Sequence, residues 1–159
     1  MKEVLAPNYP WNLLATVLLA VALFAPAKQV MAQTPAAGAS SQAQEMTQNL
    51  KEVFFPFNVY NRVVDPAPLN SDAEWLKQHP DAHLWIQGYA DIRGDIFYNL
   101  VLSYRRSQFV KSKLIKSGVN ESQIGFATGW GKLYPVCQAT DDSCYQKQRR
   151  VDIVPPDMM

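Results

Sequence analysis

The residues best placed for chemistry lie between Gly88 and Arg106, in the segment GYADIRGDIFYNLVLSYRR. Asp91 and Gly94 fall in a tight loop after a short alternating run, and Asn99, Ser103 and Arg106 follow at helical spacing. Positions i, i+4 and i+7 share one stripe of a helix. Arg105 points about 100° away, given roughly 3.6 residues per turn. A polar stripe ending in Arg106 is therefore expected to run beside the loop that carries Asp91. An acid and a guanidinium set a short gap apart suit a zwitterion. The carboxylate takes an ammonium, and the guanidinium grips a carboxylate through two parallel hydrogen bonds. The same two residues also allow a plainer arrangement, an internal Asp91–Arg106 pair that ties loop to helix. Such a pair adds little net stability compared with apolar packing.

Other chemistries lack their parts. His79 and His83 are four apart, but Pro80 lies between them, so they do not share a helix face, and no metal is expected. Ser103 has no paired histidine for a nucleophilic triad, and no glycine-rich phosphate loop is present. No enzymatic activity and no cofactor are expected. Asp141 and Asp142 read as solvated turn charge, Arg149-Arg150 as solvated surface with a place at the pocket or the membrane as the alternative, and Trp85 and Trp130 as core or rim packing.

The elements that must position the loop and stripe are legible in the pattern. Glu52–Asn58 (EVFFPFN) reads as a short strand, with Pro56 marking an edge or bulge. Asp65-Pro66 reads as a helix start, a capping carboxylate followed by proline. Leu69, Ala73 and Leu76 recur at helical spacing up to His79, where Pro80 forces a stop. His83–Gly88 alternates as a strand. Residues 96–117 read as the longest helix, capped by Asp95 and ended by Gly118. Its core face is expected to hold Leu102, Val110 and Leu114, with Tyr98 and Phe109 alongside. Gln123–Gly129 and Arg150–Val154 read as two further strands. The order β-α-β-α-β-β predicts an α/β domain, with helices packed on a mixed four-stranded sheet.

Composition bounds the function. The 159 residues carry 15 Lys+Arg against 14 Asp+Glu, a net charge of +1. That balance argues against nucleic acid as a partner bound through a broad electrostatic field. Hydrophobic residues make up 48% against 18% charged, which excludes a disordered chain. Residues 1–32 read as a signal peptide: an apolar run at Leu13–Phe24, then Val30-Met31-Ala32 as a small-x-small cleavage site. The run is short for a membrane span of about 20 residues, although an uncleaved N-terminal anchor is the alternative. No cysteine sits near Ala32, so lipid modification there is not expected. Residues 33–49, rich in Ala, Ser and Gln, read as a flexible tether whose last part can form a helical turn, and residues 50–159 as the domain. Cys137 and Cys144 flank a six-residue polar segment, and export makes the compartment permissive for a disulfide between them.

From about Val53 to Val154 the chain resembles the OmpA-like domain, shared by outer-membrane protein A, the peptidoglycan-associated lipoprotein and the stator protein MotB. The pieces that carry the resemblance are FFPFN at Phe54–Asn58, GYADIRG at Gly88–Gly94, YNLVLSYRRSQFV at Tyr98–Val110 and QRRVDIV at Gln148–Val154. The resemblance implies non-covalent binding of peptidoglycan through the diaminopimelate of the stem peptide, at the cell wall in the periplasm. The chain would then anchor itself, or envelope protein partners, to the wall. It further implies that Asp91 takes the ammonium of diaminopimelate and Arg106 its carboxylate, with Asn99, Arg93 and Asn58 lining the same site. Two positions depart from the family pattern. Pro56 stands where an acidic residue is usual, and Tyr89 where histidine is usual.

Overall fold

The computed structural model describes residues 36–156; the expected signal segment lies outside them. Four strands form one sheet in the order β1-β4-β2-β3. They are β1 (Val53–Phe54), β2 (Leu84–Gly88), β3 (Ile124–Gly129) and β4 (Arg150–Val154). β4 runs antiparallel to both β1 and β2, whereas β2 and β3 are parallel. The helices are α1 (Ala36–Asn49), α2 (Ala67–Gln78), α3 (Ile96–Lys116) and α4 (Asp142–Gln148). The expected α/β fold with a mixed four-stranded sheet is the one observed. α1 precedes it and α4 is inserted before the last strand.

Alternation along β2 and β4 sends Leu84, Ile86, Val151 and Ile153 into the core, where Val110 and Leu114 of α3 meet them. Asp95 caps α3 by accepting from Phe97 N at 2.8 Å and Tyr98 N at 3.1 Å. Gly118, at φ +96°, supplies the left-handed residue that ends it. α3 lies unusually close to the sheet because of two glycines. A Cβ on Gly88 would sit 2.0 Å from Ser103 O, and one on Gly129 would sit 2.2 Å from Tyr104 N. This close approach sets the height of the Asn99–Ser103–Arg106 stripe above the strand ends.

Several expectations need correction. The stretch expected as a flexible tether carries α1, which belongs to the same compact unit as the rest of the domain. Its Ala- and Gln-rich composition favours helix. Met46 is buried in the core, and Glu45 lies 3.4 Å from His79 Nε2. The strand expected over 52–58 is reduced to Val53–Phe54. Beyond it the carbonyls of Phe55 and Pro56 turn toward arginine side chains instead of a neighbouring strand. Tyr98 is exposed rather than core, because its hydroxyl donates to Asn58 Oδ1 outside the sheet's cover. Asp141 is not simple turn charge; it caps α4 by accepting from Cys144 N at 2.8 Å. Arg149 and Arg150 are buried, not surface residues.

The proline at the start of α2 is displaced by one position from the expected place. Pro66 occupies the cap, and Asp65 accepts from Ala67 N at 2.9 Å.

Cys137 and Cys144 are disulfide-bonded across a separation of seven residues. The intact mass should therefore fall two hydrogens below that of the reduced chain. Reduction should cost about 2 kcal/mol, the low end expected for so small a loop. Native mass spectrometry and melts with and without reductant check both. Alkylation of both thiols in untreated protein would contradict the first.

A second expectation concerns pH. Burial pushes the Asp72 carboxyl up to about 7, opposed by a hydrogen bond from Lys51 N. Burial also pushes Asp152 up to about 6, opposed by Arg150. An acid whose pKa is higher folded than unfolded binds more protons in the folded state. Stability should therefore rise as pH falls from 8 toward 5, by up to about 1.4 kcal/mol per pH unit for each such group. Asp72→Asn should flatten much of that slope in thermal melts. An unchanged slope would remove Asp72 as its source.

Candidate functional site

The site begins with a loop forced by its own residues. After β2, Asp91 Oδ1 accepts from Arg93 N at 3.1 Å, a local turn that carries the chain to Gly94. Gly94, at φ +83°, reverses the backbone into the Asp95 cap of α3. On the facing side, Asn58 adopts φ 56°, a conformation that asparagine tolerates better than most residues. The loop after β1 and the loop after β2 thus meet over the first turns of α3.

All five residues expected at the site line one cavity of about 190 Å³: Asn58, Asp91, Arg93, Asn99 and Arg106. Phe57, Tyr98 and Arg149 line it with them. Asn99 is buried and donates to Arg93 O at 2.7 Å, which pins the loop to the helix. Ser103 does not face a ligand. Its hydroxyl donates to Leu100 O and accepts from Gly131 N, so it is a buried tie between α3 and the loop after β3.

Asp91 and Arg106 share the cavity but have separate partners. Asp91 accepts from Arg93 Nε at 3.1 Å, Arg93 Nη2 at 2.8 Å and Arg149 Nη1 at 3.1 Å. Burial opposes ionisation of this carboxyl. Hydrogen bonds from Arg93 and Arg149 outweigh that and hold it below the usual carboxylate range. Arg106 is fully buried and donates to three carbonyls: Val59 O at 2.9 Å, Tyr89 O at 2.9 Å and Pro56 O at 3.1 Å. Burial, with Arg149 nearby, pushes its guanidinium down to about 10, which leaves it charged at neutral pH. The plainer Asp91–Arg106 tie is therefore not the arrangement found. Loop and helix are joined through Arg106 and backbone carbonyls. Arg105 lies off the stripe, exposed, with its guanidinium 5.3 Å from the Tyr60 ring centroid.

Arg149 joins the site although the sequence pattern favours solvated surface for it over a place at the pocket. It donates to Asp91, to Phe55 O at 3.2 Å and to Gln146 Oε1 at 2.6 Å. Gln148 beside it accepts from Ile92 N at 3.1 Å. The available signal was the run QRR directly before an alternating strand, which places its polar residues at a buried strand end. Arg150 points elsewhere. It reaches Asp152 at 3.0 Å and lies 4.0 Å from the Tyr89 ring centroid. Tyr89 donates to Gln87 Oε1 at 2.6 Å, so its phenol is internally satisfied.

The cavity therefore holds three guanidinium groups and one carboxylate. Such a lining favours a ligand that brings at least one anionic group. It accepts an ammonium only at Asp91. Among the described residues no cluster of His, Cys, Asp or Glu is arranged to hold a metal, and no helix is long and apolar enough to cross a membrane.

The fold and sequence are similar to those of known proteins. The structure is similar to the crystal structure of the peptidoglycan-associated lipoprotein from Burkholderia pseudomallei. The TM-score is 0.61 and the identity 38%, over 65% of this chain and 88% of that one. A periplasmic domain of Helicobacter pylori MotB shares the fold at a TM-score of 0.53 and 21% identity, over 64% of this chain and 68% of that one. In sequence, the peptidoglycan-associated lipoprotein of Mesorhizobium japonicum is 33% identical over 118 residues, 72% of this chain and 70% of the relative. That of Legionella pneumophila is 36% identical over 86 residues, 54% of this chain. The chain spans about half of the Legionella relative, 48% of its length. Residues 65–150, more than half of the chain and including all of the cavity except the loop after β1, match the OmpA family, and the chain belongs to that family.

Proposed function

We propose that this domain binds peptidoglycan without turnover, through the diaminopimelate of the stem peptide, and so anchors itself or its complex to the cell wall. Residues 1–32 would direct export, and the domain would work in the periplasm. The observation that carries the reading is the gathering of Asp91, Arg93, Asn99, Arg106 and Asn58 in one cavity with a single carboxylate among guanidinium groups. The free end of a diaminopimelate side chain offers one ammonium and one carboxylate. Asp91 would take the first, and the guanidinium side of the cavity the second. Membership of a family whose relatives are named for their association with peptidoglycan supports the same reading.

The test is co-sedimentation of the full chain with purified sacculi. Diaminopimelate-type sacculi should carry the protein down. Lysine-type sacculi should bind poorly, because lysine lacks the second carboxylate. Equal sedimentation with both would remove diaminopimelate as the determinant.

A second reading, an interaction module without ligand, draws support from one observation: Asp91 already has internal partners in Arg93 and Arg149. Failure of the folded protein to bind either kind of sacculus would favour it.

A further inference from the structure

The oxygens of Asp91 are fully engaged. Oδ1 accepts from Arg93 N and Arg93 Nε, and Oδ2 accepts from Arg93 Nη2 and Arg149 Nη1. An incoming ammonium cannot join this set; one cation must leave. The two arginines are not equally free to do so. The Arg149 side chain is 10% exposed and is tied as well to Phe55 O and Gln146 Oε1. The Arg93 side chain is 37% exposed, and among the described residues its side-chain hydrogen bonds go to Asp91 alone. The rest of its support comes from the nearby Asp142 carboxylate and from two aromatic rings. Its guanidinium carbon lies 4.3 Å from the Phe57 ring centroid and 4.2 Å from that of Tyr145.

We infer that Arg93 is a built-in competitor for the ligand's ammonium. It is a latch that occupies Asp91 in the free protein and swings out, toward solvent, when a diaminopimelate head binds. The inference rests on the peptidoglycan reading above. It assigns Arg93 a role opposite to that of a ligand contact. The Phe57–Tyr145 sandwich holds the latch shut through cation–π attraction of modest strength. The measured affinity is then the intrinsic affinity reduced by the fraction of time for which Asp91 is free. Exchange of one cation for another also keeps the charge at Asp91 nearly constant, so the carboxylate is never left buried and bare.

The experiment is calorimetric titration of the full chain with a soluble tripeptide, L-alanyl-γ-D-glutamyl-meso-diaminopimelate. Arg93→Gln, which removes the charge but keeps a polar stem, should tighten binding about tenfold. Tyr145→Leu lies outside the cavity lining and removes one face of the sandwich. It should tighten binding less, about threefold. In the wild type, the Arg93 Nε–H resonance should move to a solvent-like position as the tripeptide is added. Arg93→Gln that binds more weakly than wild type makes Arg93 a ligand contact and overturns the latch. So does unchanged affinity in both variants, or an Nε–H resonance that stays in place at saturation. These outcomes all require wild-type binding. If the folded wild type does not bind the tripeptide, the peptidoglycan reading itself falls, and the latch with it.

Discussion

Arg106→Met should unfold or severely weaken the domain before its effect on binding can be read, with a loss of about 3–5 kcal/mol. Arg106 is fully buried and satisfies three backbone carbonyls from two loops: Pro56 and Val59 after β1, and Tyr89 after β2. Methionine fills much of the volume but donates nothing. Val59 O and Tyr89 O would each lose their donor at about 1–3 kcal/mol, whereas Pro56 O keeps Val59 N at 3.3 Å. Loss of the charge also removes a like-charge neighbour of Arg149, which lowers the guanidinium of Arg106 in the native protein. That relief offsets part of the cost. Pro56 and Tyr89 contribute to this network through their carbonyls. Their side chains can therefore vary without breaking it. Arg106→Lys should be intermediate, because an ammonium cannot span three acceptors in the planar fork that a guanidinium offers. Chemical denaturation, compared with the exposed control Arg105→Ala, measures the effect. Full stability in Arg106→Met would mean that the carbonyls of Val59 and Tyr89 find water, and Arg106 would return to being chiefly a binding residue.

Asp91→Asn should keep the fold and lose wall binding. Arg149 retains Phe55 O and Gln146 Oε1, and Arg93 can turn to solvent, so the structural cost is smaller than at Arg106. Loss of one partner of a desolvated charge pair costs about 2–5 kcal/mol of binding, or roughly 30- to several-thousand-fold in affinity. Sedimentation with diaminopimelate sacculi should fall accordingly while the melting transition stays cooperative. The native carboxyl is held below the usual range, so its contribution to folding is present above the unfolded carboxylate pKa. It is lost as pH falls through the depressed folded value. Asp91→Asn should therefore soften acid unfolding at the lowest pH. An Asp91→Asn protein that melts like wild type and sediments like wild type would make the carboxylate structural only.

Local pattern determined more of this domain than of its site. The alternation in 83–88 and 150–154, the long amphipathic stretch from Ile96 with its Asp95 cap, and the glycine stop at 118 are carried by residues near one another in the chain. Period and capping are local physics, so they can be read in advance. The same holds for which residues gather at the site. Asp91 lies in the short loop after a strand, and Asn99 and Arg106 share a helical stripe that must pass beside it.

Tertiary structure alone decided who bonds to whom. Phe55 and Pro56 look like strand, but the strand stops because guanidinium groups from α3 and from the residue before β4 claim their carbonyls. Arg149 is 58 residues from Asp91, and no periodicity in either segment says that they meet. The tether's composition favours helix weakly. It becomes α1 because Met46 finds a core to enter, and isolated helices of that length are marginal without such packing. A charge pair proposed from spacing is likewise only a proximity. Whether Asp91 faces Arg106, Arg93 or Arg149 depends on which cation is least costly to hold beside a buried carboxylate. That is settled by desolvation and by the hydrogen bonds available once β1, β2, α3 and β4 converge.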